Sequence, residues 1–277
     1  MRPQGKLAAL FILLAQLVLA NPAAAEDVDL ELVLAVDGSG SVNEQEFGLQ
    51  LGGIAAAFRS PRIQRAIALG PLRRIAVALM VWSDAAFPKV HTKWYVIDST
   101  ASAETFARVV ETFYPRTGRN QGQGGGGTGI GSGVAFALDM LKKNQINGTR
   151  RVIDVSGDGI ETEPWYGKAV IMPQAKLMAA ALNVTINGLA ILADFPRLDE
   201  YYRDNVISGN GAFVMQAADF VDFEEAIKEK LYREILVVIG SGEPETKYRP
   251  AQAKRDLIYR PEGQKSAHLS EGDESDG

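Results

Sequence analysis

The sequence contains no cysteine, which excludes disulfides, thiolate metal sites and a cysteine nucleophile. Histidine is scarce as well. His91 lies in a partly alternating stretch read as an edge strand, and His268 lies in a charged C-terminal stretch. Neither has the neighbours that a catalytic or zinc-binding histidine requires. Positive charge is not in excess: Lys and Arg number 29 against 34 Asp and Glu, a formal charge of −5. That balance gives no reason to expect a nucleic-acid partner. The apolar run Leu7 to Ala20 is short for a membrane-spanning helix. With Arg2 and Lys6 before it and Ala23-Ala24-Ala25 after it, residues 1–25 read as a secretory signal. Cleavage removes Arg2 and Lys6 and takes the formal charge from −5 to −7. The expectation is an exported protein, periplasmic or secreted, that begins at Glu26 and has no stable membrane insertion once cleaved.

Several enzyme signatures are missing too. Gly122-Gln123-Gly124-Gly125-Gly126-Gly127 fits G-x-G-x-x-G formally, but it follows a loop instead of the first strand, so the dinucleotide fingerprint fails on context. No Gly-Lys-Ser/Thr follows these glycines, which removes the P-loop. Asp37-Gly38-Ser39 has Ala35 where an aspartyl phosphatase would carry its nucleophilic acid. Around Ser39 the outer positions of Gly-x-Ser-x-Gly are occupied by Asp37 and Ser41, so the nucleophile elbow is absent. The expectation is a protein that is not an enzyme, with metal-dependent hydrolysis as the residual alternative.

What is present is an alternation of apolar strands and amphipathic helices. Leu30 to Val36 is nearly all apolar, as a strand covered on both faces is. It ends at Asp37-Gly38-Ser39-Gly40-Ser41, after which Asn43 and Glu46 occupy capping-box positions for a helix from Glu44 to Ser60. Ile63 to Leu69 reads as a connection with its own apolar anchor. Ile75 to Trp82 is a second buried strand, Val90 to Ile97 a solvent-edged one, and Ala101 to Phe113 a helix capped by Ser99 or Thr100. A glycine-rich segment, Gly118 to Gly133, leads into a helix carrying Val134, Leu138 and Leu141 that ends near Asn147-Gly148. Arg151 to Gly159 is a third central strand, ending at Asp158 between two glycines, with Asp154 inside it needing a hydrogen-bonding partner. A helix from Gln174 to Leu182, a strand from Val184 to Leu192, a short helix at Tyr201 to Ile207, a strand at Ala212 to Gln216 and a helix from Phe220 to Leu236 follow. This order predicts an α/β fold: a doubly wound, mostly parallel central sheet with one antiparallel edge strand and helices on both faces. The domain is expected over 26–240, and the charged, turn-rich stretch 241–277 as a flexible tail.

In such a sheet, ligands bind outside the carboxyl ends of the strands. Three features fall at that edge: Asp37/Ser39/Ser41, the glycine-rich loop with Thr128, and Asp158. Together they resemble the von Willebrand factor A domain and its metal-ion-dependent adhesion site, over roughly Asp29 to Leu236. More narrowly, the chain resembles a group of exported bacterial A-domain proteins of unassigned function. The resemblance implies that Ser39 and Ser41 ligate Mg²⁺ through their hydroxyls and that Asp37 ligates it or holds a bound water. It implies that Thr128 is a further ligand and that Asp158 acts through water. Oxygen donors at about 2.0–2.1 Å suit Mg²⁺, and Mn²⁺ is not excluded by such donors. One position left open implies a partner protein that offers a Glu or Asp to the metal. Some members couple ligation to a shift of the final helix, here Phe220 to Leu236.

The residues themselves leave plainer readings open. Asp37 and Asp158 can cap helices, the serines can satisfy backbone groups, and Thr128 can simply begin a helix. An A domain with a purely structural metal is also compatible. Glu161, Glu163, Trp165 and Tyr166 follow Asp158, and Asp194 to Tyr202 follows the next strand. Trp165 and Tyr166 read equally as a recognition rim and as side chains packed on the domain.

Overall fold

The computed structural model describes residues 25–86, 88–113, 127–162 and 169–236. The expected signal, the glycine tract 118–126, Glu163, Trp165, Tyr166 and the tail 241–277 lie outside the described residues.

Strand β1 (Glu26–Asp37) is buried from Val28 to its end, which explains its unbroken apolar character. It runs parallel to β2 (Ile75–Trp82) on one side and to β5 (Ile146–Gly157) on the other. β6 (Thr185–Ile191) and β7 (Val214–Ala217) continue the sheet in parallel beyond β5. The order is β3-β2-β1-β5-β6-β7. The antiparallel edge is present, but as two short strands, β3 (Val90–His91) and β4 (Tyr95–Ile97), both laid against β2. Between them the Leu79 N–H donates to Thr92 Oγ1 at 3.0 Å. A hydroxyl there takes the place of a main-chain acceptor, and the ladder breaks.

Helices α1 (Glu44–Arg59), α2 (Pro61–Ala68), α3 (Thr100–Glu111) and α7 (Phe223–Leu236) cover one face. The other carries α4 (Ile130–Lys143), α5 (Met172–Ala181) and α6 (Leu198–Tyr201), the last running on into a π-helical turn, Tyr202–Val206. The expected capping box at α1 forms: Asn43 Oδ1 accepts the Glu46 N–H at 3.0 Å and Glu46 Oε2 accepts the Asn43 N–H at 2.8 Å. Ser99 caps α3. Three expectations need correction. The stretch read as a connection before β2 is the helix α2, because Ser60 accepts the Arg62 N–H and Pro61 sits in the first turn, where its missing N–H costs nothing. α4 stops at Lys143, and Asn147-Gly148 belongs to β5, where Gly148 N–H donates to buried Glu31. The final helix begins at Phe223, after a turn in which Asp219 Oδ1 accepts the N–H groups of Val221 and Asp222.

Candidate metal centre

β1 ends beside β5 and β2, so its last residue meets the loops that leave both neighbours. Asp37 is fully buried, and its Oδ1 accepts the N–H of Ser39 at 2.7 Å, which folds the Gly38-Ser39 turn back on the carboxylate. Gly38 N–H donates to Trp82 O at 2.8 Å and fixes the turn to β2. Ser39 Oγ and Ser41 Oγ are then 3.1 Å apart, and Ser41 Oγ donates to Asp158 Oδ1 at 2.8 Å. Asp37, Ser39, Ser41 and Asp158 thus form one hydrogen-bonded chain across a sequence separation of more than a hundred residues.

Thr128 stands at the edge of this group. Its Oγ1 lies 3.4 Å from where a Cβ on Gly159 would be, directly past Asp158. The loop that carries it is pinned from both sides. Thr128 N–H donates to Thr162 Oγ1 and Thr162 N–H returns to Thr128 O, each at 2.9 Å. Gly129 N–H donates to Ser83 O at 3.0 Å, and a Cβ at Gly129 would fall 2.9 Å from both Ser83 O and Ala85 N. Only a residue without a side chain permits that approach.

The donor set is all oxygen, as a hard dication requires. Ligands about 2.1 Å from an octahedral Mg²⁺ are roughly 2.9 Å from their neighbours, and the two spacings here are 3.1 and 2.8 Å. The electrostatics agree. Burial pushes the Asp158 carboxyl above the usual range; the hydrogen bond from Ser41 opposes this, while the nearby charges of Asp194 and Glu46 add to it. Among the groups that act on it most, none is a cation, so two carboxylates are held close with nothing to neutralise them. The residues fit the metal. Among the described residues there is no cluster of three or more His, Cys, Asp or Glu; the site relies on hydroxyls for the rest.

Three functional neighbours escape a reading of the sequence. Gln50 on α1 is fully buried and donates through Nε2 to Asp37 O at 3.2 Å. Tyr202 is fully buried, with its hydroxyl 2.8 Å and Asp37 Oδ2 2.6 Å from the position of a Cβ on Gly157. Glu161, read from sequence as part of an acidic rim, is a helix cap. Its Oε1 accepts the Gly131 N–H at 2.7 Å and its Oε2 the Met172 N–H at 3.0 Å, so one carboxylate serves the first turns of α4 and α5.

Beneath the centre lies a second polar group. Asp154 on β5 and Glu234 on α7 flank the ammonium of Lys230, at 2.6 and 2.7 Å, and all three are buried. Asn187 on β6 donates to Glu234 Oε1 at 2.9 Å and accepts the Phe213 N–H at 3.0 Å. Two carboxylates share one ammonium. Burial, and then the charge of Glu234, push Asp154 up to about 7, against the pull of Lys230. The partner that Asp154 needs is therefore supplied by the last helix, as an internal structural ion pair.

A family model described as "Protein of unknown function (DUF1194)" matches residues 27–238. No curated protein matches the chain. Solved structures with similar folds include the pilus adhesin SpaC from Lactobacillus rhamnosus GG, 13% identical at a TM-score of 0.52, covering 76% of this chain and 31% of that one. Proximal thread matrix protein 1 from the mussel byssus, in a form with a zinc-occupied MIDAS motif, is 12% identical at a TM-score of 0.51, covering 76% of this chain and 49% of that one. The vWF domain of the type V pili tip protein Mfa5 from Porphyromonas gingivalis aligns at a TM-score of 0.49 with 12% identity, over 78% of this chain and 98% of that one. The chain spans less than half the length of the first two. At these identities the likeness is one of fold.

Proposed function

The chain belongs to the family that this model describes, and we propose that it is an exported A-type domain that binds a divalent metal and, through it, an acidic residue of a partner protein. The observation that carries the reading is the spacing of Ser39 Oγ, Ser41 Oγ and Asp158 Oδ1, at 3.1 and 2.8 Å along the chain of three. Ser39, Ser41 and Thr128 would hold the ion through hydroxyls, with Asp37 and Asp158 supplying the charge directly or through water. The metal, when bound, supplies a Lewis-acidic position at the rim for a carboxylate. The role is binding, not catalysis. Of the two histidines, His91 sits on the antiparallel edge with Nδ1 against Thr92 O at 2.8 Å, away from the donors. Residues 1–25 support export, and no helix among the described residues is long and apolar enough to cross a membrane.

The test is calorimetric titration of Mg²⁺ and Mn²⁺ into the metal-free protein, beside Asp37→Ala. Zn²⁺ joins the series because the mussel thread protein holds zinc at its motif. Binding by the wild type that vanishes in the variant supports the site. No heat from any of the ions, or equal binding by Asp37→Ala, overturns it. Pull-downs in Mg²⁺ and in EDTA then separate the roles: identical captured proteins favour a metal that only stabilises the fold.

A further inference from the structure

The edge that carries the oxygen donors also carries a shallow apolar cavity of about 310 Å³, lined by Ile160, Phe195, Pro196, Arg197 and Leu198. Leu198 is its buried floor, while Ile160 and Phe195 leave 40% and 43% of their surfaces open. The two come from different loops: Ile160 is two residues past Asp158, and Phe195 follows β6. Both loops are braced. The N–H of Glu161, next to Ile160, donates to the Tyr201 hydroxyl at 3.1 Å, and Leu198 N–H donates to Phe195 O at 3.0 Å. Isolated exposed apolar residues are ordinary; an exposed pair held on a fixed floor beside a charged site is what interaction surfaces are made of.

Position and charge indicate the occupant. Two residues of extended chain span at most about 7 Å, so Ile160 lies within one or two residue lengths of Asp158. Arg197 closes the rim on the cavity side, whereas Asp194 and Glu46 are the charges that bear on Asp158. A ligand seated over both features meets positive charge beside the cavity, and an acidic segment answers it. We propose that the Ile160–Phe195 cavity receives a large apolar side chain adjacent to the acidic residue that a partner presents to the metal. The inference rests on the metal-dependent reading above and narrows its partner to an acidic residue flanked by Phe, Leu or Ile. The metal orients the acid; the cavity adds affinity and selects among acidic segments.

The experiment uses the full chain saturated with Mg²⁺ and capped peptides followed by chemical-shift titration, which detects weak binding. One peptide is Gly-Glu-Gly-Gly, the other Gly-Glu-Phe-Gly, each with a Gln-for-Glu control. The expected result is that the Phe peptide binds about tenfold tighter, that EDTA or the Gln controls abolish binding, and that Ile160→Ser/Phe195→Ser loses only the Phe advantage. Unchanged Mg²⁺ titration by that variant shows that its fold and metal site are intact. Equal binding of the two peptides to the wild type overturns the cavity proposal and leaves the acid reading standing. A Phe advantage that persists in the variant or in EDTA places the apolar contact elsewhere and also overturns it. Failure of both peptides to bind in Mg²⁺ overturns the acid reading and this inference together.

Discussion

Lys230 Nζ lies 2.6 Å from Asp154 Oδ1, so the last helix meets the central strand through a fully buried ion pair instead of through apolar packing. Glu234, one turn further along the helix, shares the same ammonium at 2.7 Å. Removing the cation leaves two carboxylates in the core with nothing to offset them. Lys230→Met is therefore expected to cost about 3–5 kcal/mol. Adding Asp154→Asn and Glu234→Gln should restore most of the loss. Urea unfolding of the single and triple variants measures both; a single variant as stable as the wild type would refute the account.

The same group predicts a pH dependence. Asp154 is pushed up to about 7 in the folded chain from a model value of 3.8. The folded state thus binds the extra proton more tightly than the unfolded chain does. Its contribution is complete below about pH 4 and is lost as pH rises through about 7. Asp154→Asn carries no such proton. The wild-type advantage over that variant, read from urea midpoints, should shrink steadily between pH 4 and 8.

Ser41 is exposed and makes one bond to Asp158 and one contact to Ser39. Ser41→Ala should lower stability in EDTA by only about 1 kcal/mol while weakening Mg²⁺ binding tenfold or more. Thermal unfolding with and without Mg²⁺ separates the two effects. A variant that keeps the full Mg²⁺-dependent shift would remove Ser41 from the donor set.

Glu161 ties together the beginnings of α4 and α5. Glu161→Ala leaves both helix N–H groups without that acceptor, at a cost of about 1–3 kcal/mol. Glu161→Gln keeps one acceptor oxygen and should recover part of it. Because Thr128 lies two residues before α4, amide exchange in that first turn should rise in the Ala variant.

The strands, their order of burial and the oxygen donors were legible in the sequence because each rests on local patterning. An apolar run that halts at Asp37-Gly38-Ser39 announces a covered strand and its functional edge, and Asn43 with Glu46 announces the next helix. Val90 to Ile97 was legible as an edge but not as two strands, since the break depends on Thr92 facing Leu79 across the ladder. Gln50 and Tyr202 carry no local signal; only the packed structure brings a helix glutamine under Asp37 and a phenol against Gly157. Lys230 and Glu234 did leave a trace. They occupy core positions on the stripe Phe223, Ile227, Leu231 and Ile235, and Asp154 interrupts an apolar strand. Charges of opposite sign at two such positions are a pairing signal that neither element shows alone.

Asp154 and Ser156 point to the same face of β5, and Asp158 continues their two-residue alternation just past the strand's end. Inserting or deleting one residue between 154 and 158 would swing one end of this series across the sheet. Either the lysine in the core or the serine at the rim would lose its acid. A frameshift-like error of one position in this single strand is thus visible at both ends of the molecule, so β5 acts as a gauge that keeps the interior and the binding edge in step.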